Sequence, residues 1–174
     1  NRPNANSSSL AEHTLTFIMA LSKQIVFYDK QTRTGNFAIR RINKAIDIDG
    51  KILGLLGCGK IGVMVAKKCR TALNMQIIGF DPYLTTALEG IVLVSTIEEL
   101  FEKADFLSIH IPKTDKTSNL VNKRLLEMMK PTSFIINTAR GGLIVENDLI
   151  DVLNQGKIAG AALDVFEVEP MLEG

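Results

Sequence analysis

Gly57-Cys58-Gly59-Lys60-Ile61-Gly62 is a G-x-G-x-x-G stretch, and its surroundings restrict the fold more than any other part of the chain. Before it runs Lys51-Ile52-Leu53-Gly54-Leu55-Leu56, short and apolar, which reads as a strand. After it comes Val63-Met64-Val65-Ala66-Lys67-Lys68-Cys69-Arg70, which reads as a helix. Gln76-Ile77-Ile78-Gly79-Phe80 then reads as a second strand and ends in Asp81. Strand, glycine turn, helix, strand and acid together form the dinucleotide-binding fingerprint, with the acid at the expected spacing of roughly twenty residues.

Each position in that unit has a physical task. Gly57 allows the tight turn out of the strand. Gly59 leaves room for a pyrophosphate, and Gly62 lets the helix lie close on the sheet. The helix start offers unpaired N–H groups and the positive end of the helix dipole to phosphate. Asp81 can accept hydrogen bonds from both ribose hydroxyls and would repel a 2′-phosphate, which favours NAD over NADP.

The rest of the chain narrows the class. Its 174 residues make one good-sized domain, and a formal net charge of +1 gives no electrostatic case for nucleic acid or an anionic membrane. No apolar run approaches a membrane span. Cys58 and Cys69 match no zinc or redox spacing, so the expectation is packing in a reducing, cytoplasmic setting. His13 and His110 are scattered from them, and no metal site is expected.

Residues 1–9 read as an extended, polar lead-in. Ser9-Leu10-Ala11-Glu12 has the pattern of a capping box, and a helix is expected to about Asp29. Its apolar stripe is Phe17, Ile18, Leu21 and Ile25. That stripe either covers this domain's own sheet or meets a second domain or subunit. Thr32 to Asn43 reads as a loop. From residue 51 the alternation is regular. Strands are expected at 51–56, 75–80, 91–94, 105–110, 133–137 and 158–163, with helices near 60–72, 96–103, 122–129 and 146–155. Thr96-Ile97-Glu98-Glu99 is a second capping box. The fold expected is α/β, a Rossmann-type doubly wound parallel sheet in three α/β/α layers, preceded by a long helix. Residues 1–49 would be lead-in, helix and connection, serving as a dimer or interdomain element. Residues 50–174 would be the NAD-binding domain.

In such sheets ligands bind at the carboxyl ends of the strands. Asp81, Ile111, Pro112, Thr138, Arg140 and Asp164 all follow expected strands and should converge on one edge. The rigid fork of Arg140 matches a substrate carboxylate. Asp164, after the small-residue strand Ala159-Gly160-Ala161-Ala162-Leu163, could accept from a nicotinamide carboxamide. His110 is placed to shape a pocket wall. His13 is placed on the first helix, as a structural or interface residue.

Four motifs in order carry a resemblance to the D-isomer-specific 2-hydroxyacid dehydrogenases. They are Asn6-Ser7-Ser8-Ser9-Leu10-Ala11-Glu12-His13, the glycine loop, Asn137-Thr138-Ala139-Arg140-Gly141-Gly142, and Gly160-Ala161-Ala162-Leu163-Asp164-Val165-Phe166-Glu167-Val168-Glu169-Pro170. The glycine loop carries Lys60 where Arg is more usual in the family. The resemblance implies that Arg140 binds the substrate carboxylate and that Glu169 pairs with a catalytic histidine. It implies that Lys60 and Ile61 give backbone amides to the pyrophosphate, and that Asp81 holds the ribose. Ile111 would line the adenosine pocket, Thr138 and Ala139 would flank the nicotinamide, and Asp164 would hold its carboxamide. The first helix would build a homodimer.

The family's acid/base histidine lies in a Pro-His motif beyond the Glu-Pro signature, and the sequence stops at Gly174. The expectation is therefore the cofactor domain of an oxidoreductase, binding NADH weakly and inactive alone. The resemblance offers 3-phosphoglycerate first as substrate, which would place the enzyme in serine biosynthesis. A glyoxylate or hydroxypyruvate reductase comes next. A non-catalytic, NAD-sensing corepressor on the same scaffold, or a dimerisation module, are the alternatives of another class.

Overall fold

A computed structural model describes residues 6–41, 45–84 and 86–170. Six parallel strands form one sheet: β1 Ile52–Leu56, β2 Gln76–Phe80, β3 Val92–Leu93, β4 Phe106–Ile109, β5 Phe134–Asn137 and β6 Gly160–Leu163. Their spatial order is β3-β2-β1-β4-β5-β6, so the chain winds outward from β1 in both directions. That is the dinucleotide-binding order, with its topological switch between β1 and β4. Every expected strand is present, trimmed by one or two residues.

The strands are apolar runs because both faces are covered. On one face lie α1 (Ser7–Ser22) and α3 (Lys60–Leu73), over Leu53, Leu55, Phe106, Phe134 and Ile136. On the other lie α4 (Ile97–Lys103), α5 (Lys123–Leu126) and α6 (Glu146–Asn154), over Leu56, Leu107, Ile109 and Ile135. Alternate residues of each strand feed the two cores, which is the three-layer arrangement expected. Phe106 and Phe134, paired across β4 and β5, stack with ring centroids 5.2 Å apart. Thr96 caps α4 by accepting from the Glu99 N–H at 3.1 Å, while Glu99 Oε2 accepts from the Ser95 N–H. The Thr96 half of the second capping box therefore forms, while Glu99 reaches one residue further back than the box requires.

The N-terminal region departs from expectation. The helix starts at Ser7, and no side chain caps it. Glu12 instead accepts from Ser8 Oγ at 3.0 Å and from Lys68 Nζ at 3.3 Å, so it is drawn sideways to α3 rather than back to the cap. Residues 7–9 are helical, not extended, and residues 1–5 lie outside the described residues. The single long helix is two. Gln24 adopts a left-handed conformation at φ 51°, which stops α1, and α2 runs separately over Ile25–Arg33. The stripe divides with it. Ile18 is fully buried against the sheet, whereas Ile25 is 53% exposed and α2 buries no residue. The stretch from Thr32 is not all loop: α2 continues to Arg33 and a 3-10 helix spans Phe37–Arg41. Asn43 lies outside the described residues. α5 is shorter than expected, ending at Leu126.

Candidate cofactor and active site

The parallel register puts the C-terminal ends of β1, β2, β4, β5 and β6 on one edge of the sheet. The thirteen residues expected to serve catalysis or cofactor binding all follow one of those strands, and every strand except β3 contributes.

The glycine loop is shaped by close approach. Gly57 has φ +95°, and a Cβ there would lie 2.8 Å from Ile111 Cγ2 and 2.9 Å from the His110 carbonyl oxygen. A Cβ on Gly62 would lie 2.5 Å from the Gly57 carbonyl oxygen, so the first turn of α3 sits directly on the turn out of β1. At Gly59 the opposite holds: nothing lies within 4 Å of where a Cβ would be. That is the open space a phosphate needs. Gly59 caps α3 without a side chain, and the first bond of the helix runs from the Val63 N–H to Gly59. The N–H groups of Lys60, Ile61 and Gly62 therefore precede the helical ladder, at the positive end of the helix dipole.

Asp81 closes this loop as well as facing it. Its Oδ2 accepts from the Cys58 N–H and its Oδ1 from the Tyr83 N–H, each at 3.0 Å. A carboxylate has about four acceptor sites, so two stay available for a pair of ribose hydroxyls. The Cys58 thiol is buried, and its pKa is pushed up to about 11, first by burial and then by the Asp81 charge. Burial pushes Cys69 up to about 12. Neither thiol has the thiolate character that a redox switch requires.

At the other end of the crevice, Asn137 builds the Arg140 turn. Its Oδ1 accepts from the Ala139 N–H at 3.0 Å, and its Nδ2 donates to the Arg140 carbonyl at 2.9 Å. Arg140 is exposed, and its Nη1 donates to the Ala139 carbonyl at 2.6 Å. A Cβ on Gly141 would fall 1.7 Å from the Phe166 carbonyl oxygen, so the 164–169 loop rests directly on this turn. Glu169 Oε1 accepts from the Phe166 N–H at 2.9 Å. The two signature loops thus form one packed unit. A cavity of about 340 Å³ opens beside it, and Ile61, Ile111, Pro112, Thr138, Ala139 and Arg140 all line it. Gly57, Gly59, Lys60, Gly62, Asp81, Asp164 and Glu169 follow strands on the same edge but lie outside that cavity wall.

Lys113 also lines the cavity, and neither it nor Arg140 pairs with a carboxylate among the described residues. His110 completes the wall, with Nε2 2.9 Å from Ser108 Oγ. Burial lowers its pKa to about 4, so it is neutral near pH 7 and is a packing and hydrogen-bonding group there. Sequence reasoning passed over Asn137 and Lys113. An Asn at a strand end before a turn is a signal for the side-chain-to-backbone bonds seen here. Two α1 residues also reach the site: Thr14 Oγ1 lies 3.0 Å from Thr138 Oγ1, and His13 Nε2 lies 3.3 Å from Asp164 Oδ1. Among the described residues no group of three His, Cys, Asp or Glu could hold a metal ion.

The parts present fit a dinucleotide. Open space over Gly59, helix N–H groups, a carboxylate at the second strand end and polar residues at the fifth and sixth are what such a ligand needs. Residues 15–174 match the family described as D-isomer specific 2-hydroxyacid dehydrogenase, NAD binding domain. The chain belongs to this family. The cofactor of the domain is NAD. The chain is 41% identical over 173 residues to D-3-phosphoglycerate dehydrogenase of Methanocaldococcus jannaschii, covering 98% of this chain and 33% of that protein. It is similar to NAD-dependent formate dehydrogenase of Staphylococcus aureus solved with NAD, at TM-score 0.90 and 30% identity, covering 97% of this chain and 51% of that one. It is also similar to an acyclic imino acid reductase solved with NADPH and D-Arg, at TM-score 0.87 and 36% identity, covering 94% and 52%. The chain therefore spans about a third of the curated relative and about half of the solved ones. It is an NAD-binding domain of the D-2-hydroxyacid dehydrogenase family. Among the described residues no helix is long and apolar enough to cross a membrane.

Proposed function

We propose that this domain serves an enzyme that moves a hydride between NAD and a D-2-hydroxy acid, with 3-phosphoglycerate the first choice of substrate. The observation that carries the choice is the pair Arg140 and Lys113. Two cations without carboxylate partners line one cavity, which suits a substrate bearing both a carboxylate and a phosphate. The 41% identity to a D-3-phosphoglycerate dehydrogenase points the same way. Serine biosynthesis in the cytoplasm would then be its setting.

On this reading Arg140 clamps the carboxylate, its fork steadied by the Ala139 carbonyl. Lys60 and Ile61 hold the pyrophosphate, Asp81 the ribose, and Ile111 and Pro112 the wall between them. Thr138, Ala139 and Asp164 orient the nicotinamide, which accepts or supplies the hydride when bound. The carbonyl oxygen needs a proton donor. Glu169, anchored on the Phe166 N–H, is the carboxylate proposed to orient that donor. The lead-in divides: α1 completes the nucleotide domain, while α2 offers Ile25, Val26 and Phe27 outward as the surface for a homodimer.

The test is turnover of 3-phosphohydroxypyruvate with NADH by the full-length protein that carries this domain. Activity at least about tenfold higher in kcat/KM than on glyoxylate or hydroxypyruvate is expected, since a phosphate lost from a cationic site costs about 1.4 kcal/mol or more. Preference for the unphosphorylated acids would make it a glyoxylate or hydroxypyruvate reductase. Binding of NADH without turnover of any 2-keto acid would favour a corepressor-like sensor.

A further inference from the structure

We infer that helix α1 is a working wall of the nicotinamide end of the site, and that Thr14 and His13 are positioning residues for Thr138 and Asp164. The inference rests on the cofactor reading above. Thr14 is fully buried, and its hydroxyl has two neighbours: the Leu10 carbonyl at 2.9 Å and Thr138 Oγ1 at 3.0 Å. A hydroxyl carries one proton, and a carbonyl can only accept. We assign the Thr14 proton to the Leu10 carbonyl, so that Thr138 donates its own proton to Thr14. Thr138 is left with lone pairs alone for anything in the cavity it lines. The wall offers an acceptor there, which suits the N–H₂ of a carboxamide and rejects a carbonyl oxygen.

Next to Thr14 on α1, His13 does the companion task. Its Nε2 lies 3.3 Å from Asp164 Oδ1, near enough for attraction but not aligned as a hydrogen bond. That nitrogen is sealed from solvent and has no hydrogen-bond partner of its own, so the neighbouring carboxylate is its natural companion. The His13 ring is backed by Phe17, with centroids 4.3 Å apart. Leu10, His13, Thr14 and Phe17 follow the i, i+3, i+4, i+7 spacing of one helix face. That face spans the ends of β5 and β6, from Leu10 on the cavity wall to Asp164. Two acceptors, at the ends of different strands, are thus set by one helix whose sequence shows no sign of it.

The test compares two ligands in the protein. NADH engages both ends of the crevice, whereas ADP-ribose lacks the nicotinamide and engages only the adenosine and pyrophosphate end. Thr14→Val keeps the shape and removes the hydroxyl, which frees the Thr138 proton. NADH affinity is expected to fall about fivefold, with ADP-ribose affinity changed by less than about twofold. Thr14→Ser should restore NADH binding. His13→Leu should weaken NADH about threefold and leave ADP-ribose unchanged, and it gives the same readout if the Thr14→Val protein does not fold. Equal losses for both ligands, or no loss for NADH, would overturn the inference. A wild-type protein that binds ADP-ribose but gains nothing from the nicotinamide would overturn it too, while leaving the adenosine-end assignments intact. Binding of neither ligand would overturn the cofactor reading itself.

Discussion

The two ends of the parallel sheet carry similar residues and use them differently. At the amino end, Asp105 precedes β4 and is paired with a cation of its own fold. Its Oδ2 accepts from the Ile52 N–H at 2.9 Å and its Oδ1 from Lys130 Nζ at 2.8 Å. At the carboxyl end, Asp81 follows β2 and holds two loop N–H groups with acceptor capacity left over. Arg140 and Lys113 have no carboxylate at all among the described residues. One end closes its polar groups against each other, and the other leaves them partly unused around a cavity. The difference marks the site without reference to any motif. Groups that need a partner and lack one inside the fold are positioned for a partner outside it.

The largest effect tests whether the carboxyl end is one packed unit. Gly141→Ala puts a methyl where the Phe166 carbonyl oxygen already sits. No side-chain movement can relieve a clash with backbone, so the 164–169 loop must lift. A loss of about 3 kcal/mol is expected in urea unfolding, with faster amide exchange at Phe166, whose N–H is held by Glu169. An unchanged midpoint and unchanged exchange would mean that the two signature loops are independent.

Acid should take the two ends apart in sequence. His110 has its pKa lowered by burial from 6.5 to about 4. The unfolded chain therefore binds a proton between those values that the folded chain refuses. The stability due to neutral His110 is present above about pH 6.5 and is lost as pH falls toward 4, by at most about 3 kcal/mol because the ring is partly exposed. Asp105 responds later. Burial works to raise its pKa, but the Ile52 N–H and Lys130 hold it below the ordinary 3.8. Its contribution is intact above that value and disappears only as pH falls through the lower folded pKa. Unfolding midpoints from pH 7 to 3 should show a first loss that a His110→Asn change flattens and a second that Asp105→Ala flattens. At pH 7, Asp105→Ala should cost about 2 kcal/mol, from an orphaned Ile52 N–H and an unpaired Lys130, with NADH affinity unchanged. A drop in NADH affinity would blur the division between the ends.

Much of this was legible in the sequence, for a physical reason. Parallel strands covered on both faces are apolar runs, so β1, β4 and β5 are visible in composition alone. Strand ends then locate Asp81, Arg140 and Asp164. What sequence could not carry was contact across long separations and single backbone choices. Gln24 in a left-handed conformation splits the first helix, and nothing about a Gln announces that. Thr14 and Thr138 are 124 residues apart, and their bond depends on how α1 lies across the strand ends. Ser9 and Glu12 matched a capping box, but Lys68 on α3 competes for the Glu12 carboxylate, and tertiary context overrides the local pattern.

The smallest effect sharpens what the spare capacity of Asp81 is for. A relative of the same fold binds NADPH, so the fold alone does not select the cofactor. We propose that the charge and open acceptor sites at the end of β2 make the selection. Asp81→Ala removes a hydrogen-bonding carboxylate from the ribose and a negative charge from the place a 2′-phosphate would occupy. NADH affinity should fall about tenfold, near 1.4 kcal/mol. NADPH affinity should hold or improve, because the repulsion goes as the contacts go. The change also releases the Cys58 and Tyr83 N–H groups, so some loosening of the glycine loop must accompany it. That loosening would weaken both cofactors alike, whereas loss of the ribose grip narrows the gap between them. Calorimetric titration with each cofactor separates the two: a parallel fall would make Asp81 a brace for the loop, and a narrowed gap would make it the residue that reads the ribose.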